Sequence, residues 1–167
     1  MLPHNNKVII EQTTDPSDFA ICAGIMADTD PWITLGINYE NCLKAFDGLY
    51  REVFIMKNGA EMVGFVIIQP FGTFNGYIQT IAIGKNYRGK GYGTQLLQFC
   101  IDRILQYSPN VFICVSSFNS GAISLYNKLG FELVGELKDF IKQGFTELLL
   151  RKTVGPVAGY KTASSKH

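Results

Sequence analysis

The chain carries little that would bind a metal, cross a membrane or hold a polyanion. It has two histidines in 167 residues, and its four cysteines, Cys22, Cys42, Cys100 and Cys114, form no Cys-x-x-Cys pair. Zinc sites take their ligands at close, paired spacings, so this pattern excludes a zinc module and predicts a metal-free protein. Cys100 and Cys114 lie in apolar stretches and read as small core residues of a reducing compartment. A formal charge of +1 removes the basic excess that nucleic-acid binders carry. No apolar run approaches the roughly 18 residues that cross a bilayer. The start, Met1-Leu2-Pro3-His4-Asn5-Asn6-Lys7, has no apolar signal core, which argues against export. Together these absences predict a cytoplasmic protein with neither a membrane nor a nucleic-acid partner.

What is present is a globular composition, 47% hydrophobic with 13% aromatic residues, at a length suited to one domain. Residues 1–152 are expected to form that domain. Residues 153–167, rich in Gly, Ser, Ala and Lys, read as a loosely ordered C-terminal tail.

The pattern of elements is legible in order. Lys7 to Gln12 is a short strand. Asp15-Pro16-Ser17-Asp18 opens a helix, with an N-cap aspartate and proline at the first helical position. Leu35 to Phe46 reads as a second, weaker helix. Leu49 to Lys57 and Glu61 to Gln69 are strands joined by the hairpin signal Asn58-Gly59. A third strand runs from Tyr77 to Ile83. After it, Leu96, Leu97, Cys100, Ile101, Ile104 and Leu105 mark one apolar helical stripe. The apolar strand Val111 to Val115 follows, making a strand–helix–strand unit whose two strands run parallel. Asn119 or Ser120 caps the last helix. Two strands, Phe131 to Lys138 and Phe145 to Lys152, complete the order, and the latter is a candidate for pairing between two subunits.

Between the third strand of that hairpin group and its helix lies Arg88-Gly89-Lys90-Gly91-Tyr92-Gly93-Thr94. Glycine lets backbone N–H groups face a ligand without side-chain obstruction, and the first N–H groups of a helix have no internal partners. Such a turn is either an anion cradle or a flexible loop with two solvated cations. It is not a nucleoside-triphosphate P-loop, because no suitably placed glycine is followed by Lys and then Ser or Thr. Its glycine interval also departs from the dinucleotide fingerprint.

The turn resembles the R-G-x-G-x-G/A pyrophosphate loop of the GNAT superfamily of acyl-CoA-dependent N-acetyltransferases. The stretch Asn119-Ser120-Gly121-Ala122-Ile123-Ser124-Leu125-Tyr126-Asn127-Lys128-Leu129-Gly130-Phe131 is similar to that family's N-x-x-A-x-x-x-Y-x-x-x-G-F signature, at a matching distance. The element order agrees over roughly residues 7–152. The resemblance implies an α/β fold with a mixed, mostly antiparallel sheet of about seven strands, helices on both faces, and a splay between the fourth and fifth strands.

The resemblance also assigns roles. Acetyl-CoA would be the cofactor, held along Ile81, Ala82 and Ile83 by strand-like backbone bonds. Arg88, Gly89, Lys90, Gly91, Tyr92 and Gly93 would take its pyrophosphate, with Thr94 as a further donor. Asn119 would contact the pantetheine arm, or serve only as a helix cap. Tyr126 would protonate the departing thiolate as general acid, or simply pack in the core. An acceptor groove would be walled by Trp32, Tyr39, Phe71, Phe74 and Phe140, with Tyr77 and Gln79 at hand. By the period of two, Tyr77, Gln79, Ile81 and Ile83 should share one face of their strand.

The chain departs from the family in one respect. Several GNAT branches place a glutamate on the fourth or fifth strand to receive the amine's proton. Neither Tyr77-Ile78-Gln79-Thr80-Ile81-Ala82-Ile83 nor Val111-Phe112-Ile113-Cys114-Val115 holds an acid. Asp30, Tyr39, Glu40 and Asp139 remain as candidates, each with a plain surface or capping alternative, and the base stays open. The leading reading is an N-acetyltransferase acting by direct attack on a primary amine of a small molecule or polypeptide. The alternative is an acyl-CoA sensor without turnover.

Overall fold

The computed structural model describes residues 7–163; residues 1–6 and 164–167, at the ends of the expected domain and tail, lie outside them. The strands are β1 (Val8–Thr13), β2 (Glu52–Asn58), β3 (Glu61–Gln69), β4 (Tyr77–Ile83), β5 (Asn110–Ser116), β6 (Glu132–Lys138) and β7 (Thr146–Thr153). The helices are α1 (Pro16–Ala27), α2 (Trp32–Leu35), α3 (Tyr39–Leu43), α4 (Tyr92–Ile104) and α5 (Ser120–Lys128). One sheet takes all seven strands in the order β1-β2-β3-β4-β5-β7-β6. Its pairs are antiparallel except β4 with β5.

The apolar residues of the central strands alternate between two cores. Val66 and Ile68 join Leu96, Leu97, Cys100, Ile101 and Ile104 of α4 on one face. Phe65 and Ile67 join Cys22, Ala23 and Met26 of α1 on the other. Arg103 of α4 ties this packing to β2: its guanidinium binds Glu52 through Nε and Nη2 at 2.8 and 2.6 Å and lies over Phe54. The expected N-cap of α1 forms, with Asp15 accepting from Ser17 N at 2.8 Å.

Three expectations require correction. The helix expected over Leu35–Phe46 is broken into α2, α3 and a 3-10 turn over Lys44–Phe46. Gly36 ends α2 in the left-handed region at φ 71°, and the Asn38 side chain starts α3 by accepting from Asn41 N. The strand expected to pair between subunits, β7, lies inside the sheet between β5 and β6, so it has no free edge. The expected common face of β4 is also interrupted. Ile67 opposes Thr80 and Ile68 opposes Ile78, which leaves Gln79 as an extra, bulged residue. Ile81 and Ile83 therefore pack toward α4, while Gln79 reaches the opposite side, where its Nε2 donates to Ala45 O at 3.0 Å.

β4 and β5 are paired only at Tyr77 with Phe112 and Ile78 with Ile113. Beyond Ile78 the two strands part, and β5 continues its ladder with β7 through Ser116 opposite Glu147. The sheet thus opens a wedge whose near wall is the outer edge of β4. Within the expected tail, residues 154–163 return to the body: Val154 N donates to Pro109 O, Ala163 N to Gln106 O and the Tyr160 hydroxyl to Leu105 O.

Candidate active site

The wedge between β4 and β5 holds two cavities that meet. The larger, 370 Å³, is lined by Ile81, Ala82, Ile83, Tyr87, Arg88, Gly89, Gly93, Asn119, Gly121, Ala122, Leu125 and Tyr126, with Asp30, Pro31 and Trp32 opposite. It lies where the glycine turn enters α4. Gly89 and Gly91 have φ of 74° and 85°, a conformation that L side chains resist, and space is open around both. Gly91 is the N-cap of α4 and has no side-chain cap, so the first-turn N–H groups have no side chain over them. Arg88 crosses the turn, donating from Nε to Ile83 O at 3.2 Å.

Of the cofactor contacts expected from the sequence, Ile81, Ala82, Ile83, Arg88, Gly89, Gly93, Asn119 and Tyr126 come together around this cavity. Lys90, Gly91, Tyr92 and Thr94 do not line it. Lys90 sets its ammonium over the Tyr87 ring, and the Tyr92 hydroxyl accepts from Asn58 Nδ2 at 3.0 Å, so both side chains are turned aside. Pro31, Tyr87 and Leu125 were not expected here, and Asp30 was expected only as a candidate base. They come from loops and a helix face whose approach depends on tertiary packing.

The smaller cavity, 260 Å³, lies on the α1–α3 side and shares Pro31, Trp32, Ile81, Asn119 and Tyr126 with the first. It brings together Trp32, Tyr77, Gln79 and Phe140, four of the residues considered for the acceptor side, with Met26, Leu35, Ile37 and Ile141 around them. Tyr39, Phe71 and Phe74 lie elsewhere. Tyr39 opens α3 and faces Ile21, Ile25 and Lys85. Phe71 is 69% exposed and stacks edge-on with Tyr50, while Phe74 packs on Phe112 at 4.7 Å. The β3–β4 loop carries both phenylalanines away from the wedge.

Tyr126 is 6% exposed and packs on Phe131, yet it borders both cavities. Burial raises its phenol well above the usual range, so it keeps its proton at neutral pH. Asn119 performs the capping role, its Oδ1 accepting from Ala122 N at 3.3 Å, and still faces both cavities. Burial also pushes the Cys22 thiol up to about 12, and the Cys100 and Cys114 thiols upward, away from nucleophilic thiolate.

The acids considered from sequence are occupied or remote. Asp30 accepts from Thr34 N and Oγ1 at 3.1 and 2.6 Å, and these bonds lower its carboxyl. Asp139 caps its own loop, accepting from Gly144 N at 2.6 Å. Glu40 is an exposed residue in the first turn of α3. The carboxylate that does border the smaller cavity is Glu147 of β7, 4% exposed and accepting from Ser116 Oγ at 2.5 Å. Burial raises its carboxyl, opposed by the Ser116 bond. The signal available in the sequence was a single acid inside the apolar strand Thr146-Glu147-Leu148-Leu149-Leu150.

Known proteins resemble this chain in sequence and in fold. The chain is 35% identical over 115 residues to the L-methionine sulfoximine/L-methionine sulfone acetyltransferase of Pseudomonas aeruginosa, covering 64% of this chain and 67% of that one. It is 27% identical over 116 residues to N-alpha-acetyltransferase RimI of Mycobacterium tuberculosis, covering 68% and 69%. Among solved structures, the ribosomal-protein-S18-alanine N-acetyltransferase of Escherichia coli superposes with a TM-score of 0.71 at 18% identity, covering 93% of this chain and 99% of that one. The yncA protein of Salmonella typhimurium, solved with its cofactor acetyl-CoA, does so at 0.70 and 16%, with the same coverage. The model of the Acetyltransferase (GNAT) family matches residues 22–131, more than half of the chain. On that match and the splayed sheet, the chain belongs to the GNAT acetyltransferase family and is an acyltransferase.

Proposed function

We propose that the protein transfers the acetyl group of acetyl-CoA to a primary amine by direct attack within a ternary complex. The observation that carries this is the meeting of two cavities at Tyr126, one under the glycine turn and one walled by Trp32, Tyr77 and Gln79. GNAT enzymes use acetyl-CoA, which supplies an activated thioester carbonyl. The residues present fit it. Gly89 and Gly93 leave room beside the first turn of α4, Arg88 adds a cation, and β4 beyond Ile78 presents a backbone edge that β5 leaves unpaired.

Backbone groups of Ile81 and Ile83 would align the acyl arm, and the N–H groups at the start of α4 would hold its pyrophosphate. Asn119 would bond the pantetheine portion through its amide nitrogen, since its oxygen caps α5. Tyr126 would give its proton to the departing sulfur. The raised cysteine thiols favour direct attack over a covalent relay. The four cysteines are free, which suits a reducing, cytoplasmic location.

The test begins with thermal shift against acetyl-CoA, ATP and NAD, followed by free-thiol release over a panel of amines. Acetyl-CoA at 100 times its Kd adds about 2.7 kcal/mol, which raises the melting temperature by roughly 5–10 °C. A shift with acetyl-CoA alone and amine-dependent thiol release are expected. Binding without release for any amine would replace this reading with the acyl-CoA sensor.

A further inference from the structure

Five side chains or positions converge on one face of the parted sheet. Tyr77 comes from β4, Gln79 from its bulge, Cys114 and Ser116 from β5, and Glu147 from β7. All border the 260 Å³ cavity, as does Tyr126. Glu147 is the one carboxylate on that wall, and among the described residues no lysine, arginine or histidine lines it. We propose that Glu147 receives the proton of the acceptor's ammonium, and that this acceptor is a primary amine with no carboxylate on its amine-bearing carbon. The inference rests on the acetyl-transfer reading above.

The charge arrangement argues both parts. A buried carboxylate without a cationic partner is costly, and an incoming ammonium supplies the missing charge. Ser116 occupies one carboxylate oxygen, Oε1, and holds the group in place. The titratable groups facing it are the Tyr77 phenol and Cys114 thiol, both raised by burial and uncharged at neutral pH. On β6 its register neighbour is Leu137, and the β6–β7 loop adds Phe140 and Ile141 to the wall. Lys142 of that loop does not line the cavity: its ammonium lies over the Phe145 ring and 3.5 Å from where a Cβ on Gly36 would stand, beside the lining residues Leu35 and Ile37. A free α-amino acid would bring its own carboxylate beside Glu147 with no cationic side chain lining the cavity to offset it. An amide, a peptide end or a simple amine would not.

The proton count closes. The ammonium gives one proton to Glu147, which later releases it to water. The nitrogen bonds to the acetyl carbon as the carbon–sulfur bond breaks, and the sulfur takes the Tyr126 proton. The nitrogen's remaining surplus proton restores Tyr126 through water. The products are the N-acetyl amide, the free thiol and one proton.

The experiment compares wild type with Glu147→Gln, which keeps an oxygen acceptor for Ser116. Free-thiol release is measured with phenylalaninamide, methioninamide and 2-phenylethylamine against phenylalanine and methionine. The wild type should show at least about a tenfold higher kcat/KM for the amides than for the matching acids. Glu147→Gln should lose about 100-fold in kcat with the amides and lose the acidic limb of the kcat/KM pH profile. It should keep the acetyl-CoA thermal shift, yet lose the added shift that phenylalaninamide gives the wild type in the presence of CoA. Equal use of acids and amides would overturn the acceptor class. An unchanged kcat and pH profile in a folded Glu147→Gln would overturn the proton acceptor while leaving acetyl transfer intact. Acetyl-CoA binding without wild-type turnover on any amine would overturn the parent reading, and this one with it.

Discussion

At the scale of a residue, Tyr126 joins two demands that usually conflict. It belongs to the core between α4, β5 and Phe131, and it borders both cavities. Replacing it with Phe keeps the ring, so packing should survive and the melting temperature should hardly change. What disappears is the acidic hydroxyl. We expect Tyr126→Phe to lose about 10²–10⁴-fold in kcat, with the acetyl-CoA thermal shift unaltered. A variant that turns over at the wild-type rate would return Tyr126 to a packing role alone.

At the scale of an element, the entry to α4 is built from conformations that only glycine adopts easily. Gly91 caps the helix at φ 85°, and no atom lies within 4 Å of where a Cβ would stand, so space is not what requires glycine there. The backbone is. Gly91→Ala should cost about 1–2 kcal/mol, or relax by turning the first-turn N–H groups away from the cleft. Retained strain lowers the melting temperature alone, whereas relaxation weakens acetyl-CoA binding and is read as a smaller ligand-induced shift; Gly159→Ala, at φ 80° in the exposed segment after β7 with space around it, serves as a control of similar backbone strain. Equal losses of ligand shift in both variants would sink the role given to the α4 entry.

The same scale shows what was readable in advance. β3 and β4 have their expected bounds, and α4 its expected stripe, because period-2 and period-3.6 patterns encode burial directly. The Leu35–Phe46 segment misled because its apolar spacing is helical across a break made by Gly36 and Asn38. Gln79 is bulged by its pairing with β3, which no periodicity within β4 reveals. Glu147 was hidden for a related reason: its neighbours Ser116, Cys114 and Tyr77 come from distant strands, and only sheet order makes them a site.

At the scale of the whole molecule, the parted sheet carries an ionisation cost that links stability to the site. Burial raises the Glu147 carboxyl above its ordinary value, more than the Ser116 bond lowers it. The folded chain therefore holds that proton more tightly than the unfolded chain does. By linkage, stability falls as pH rises from the ordinary glutamate value, roughly 4.3, through the raised one, and the full penalty applies above it. Asp15 and Asp30 have the opposite shift, lowered by their hydrogen bonds, and contribute stability that is lost on acidification. Those two groups are the same in wild type and Glu147→Gln, so they cancel in the difference between the two proteins. The variant should melt higher than wild type at pH 7.5, and its advantage should shrink as the pH approaches 4.5. A lower melting temperature at pH 7.5, or an advantage independent of pH, would mean the carboxylate is already compensated without an acceptor. A carboxylate so compensated would have no need of an ammonium, and the acceptor argument would lose its electrostatic basis. If the advantage does follow pH, the protein keeps at this position a charge that its folding alone would favour replacing.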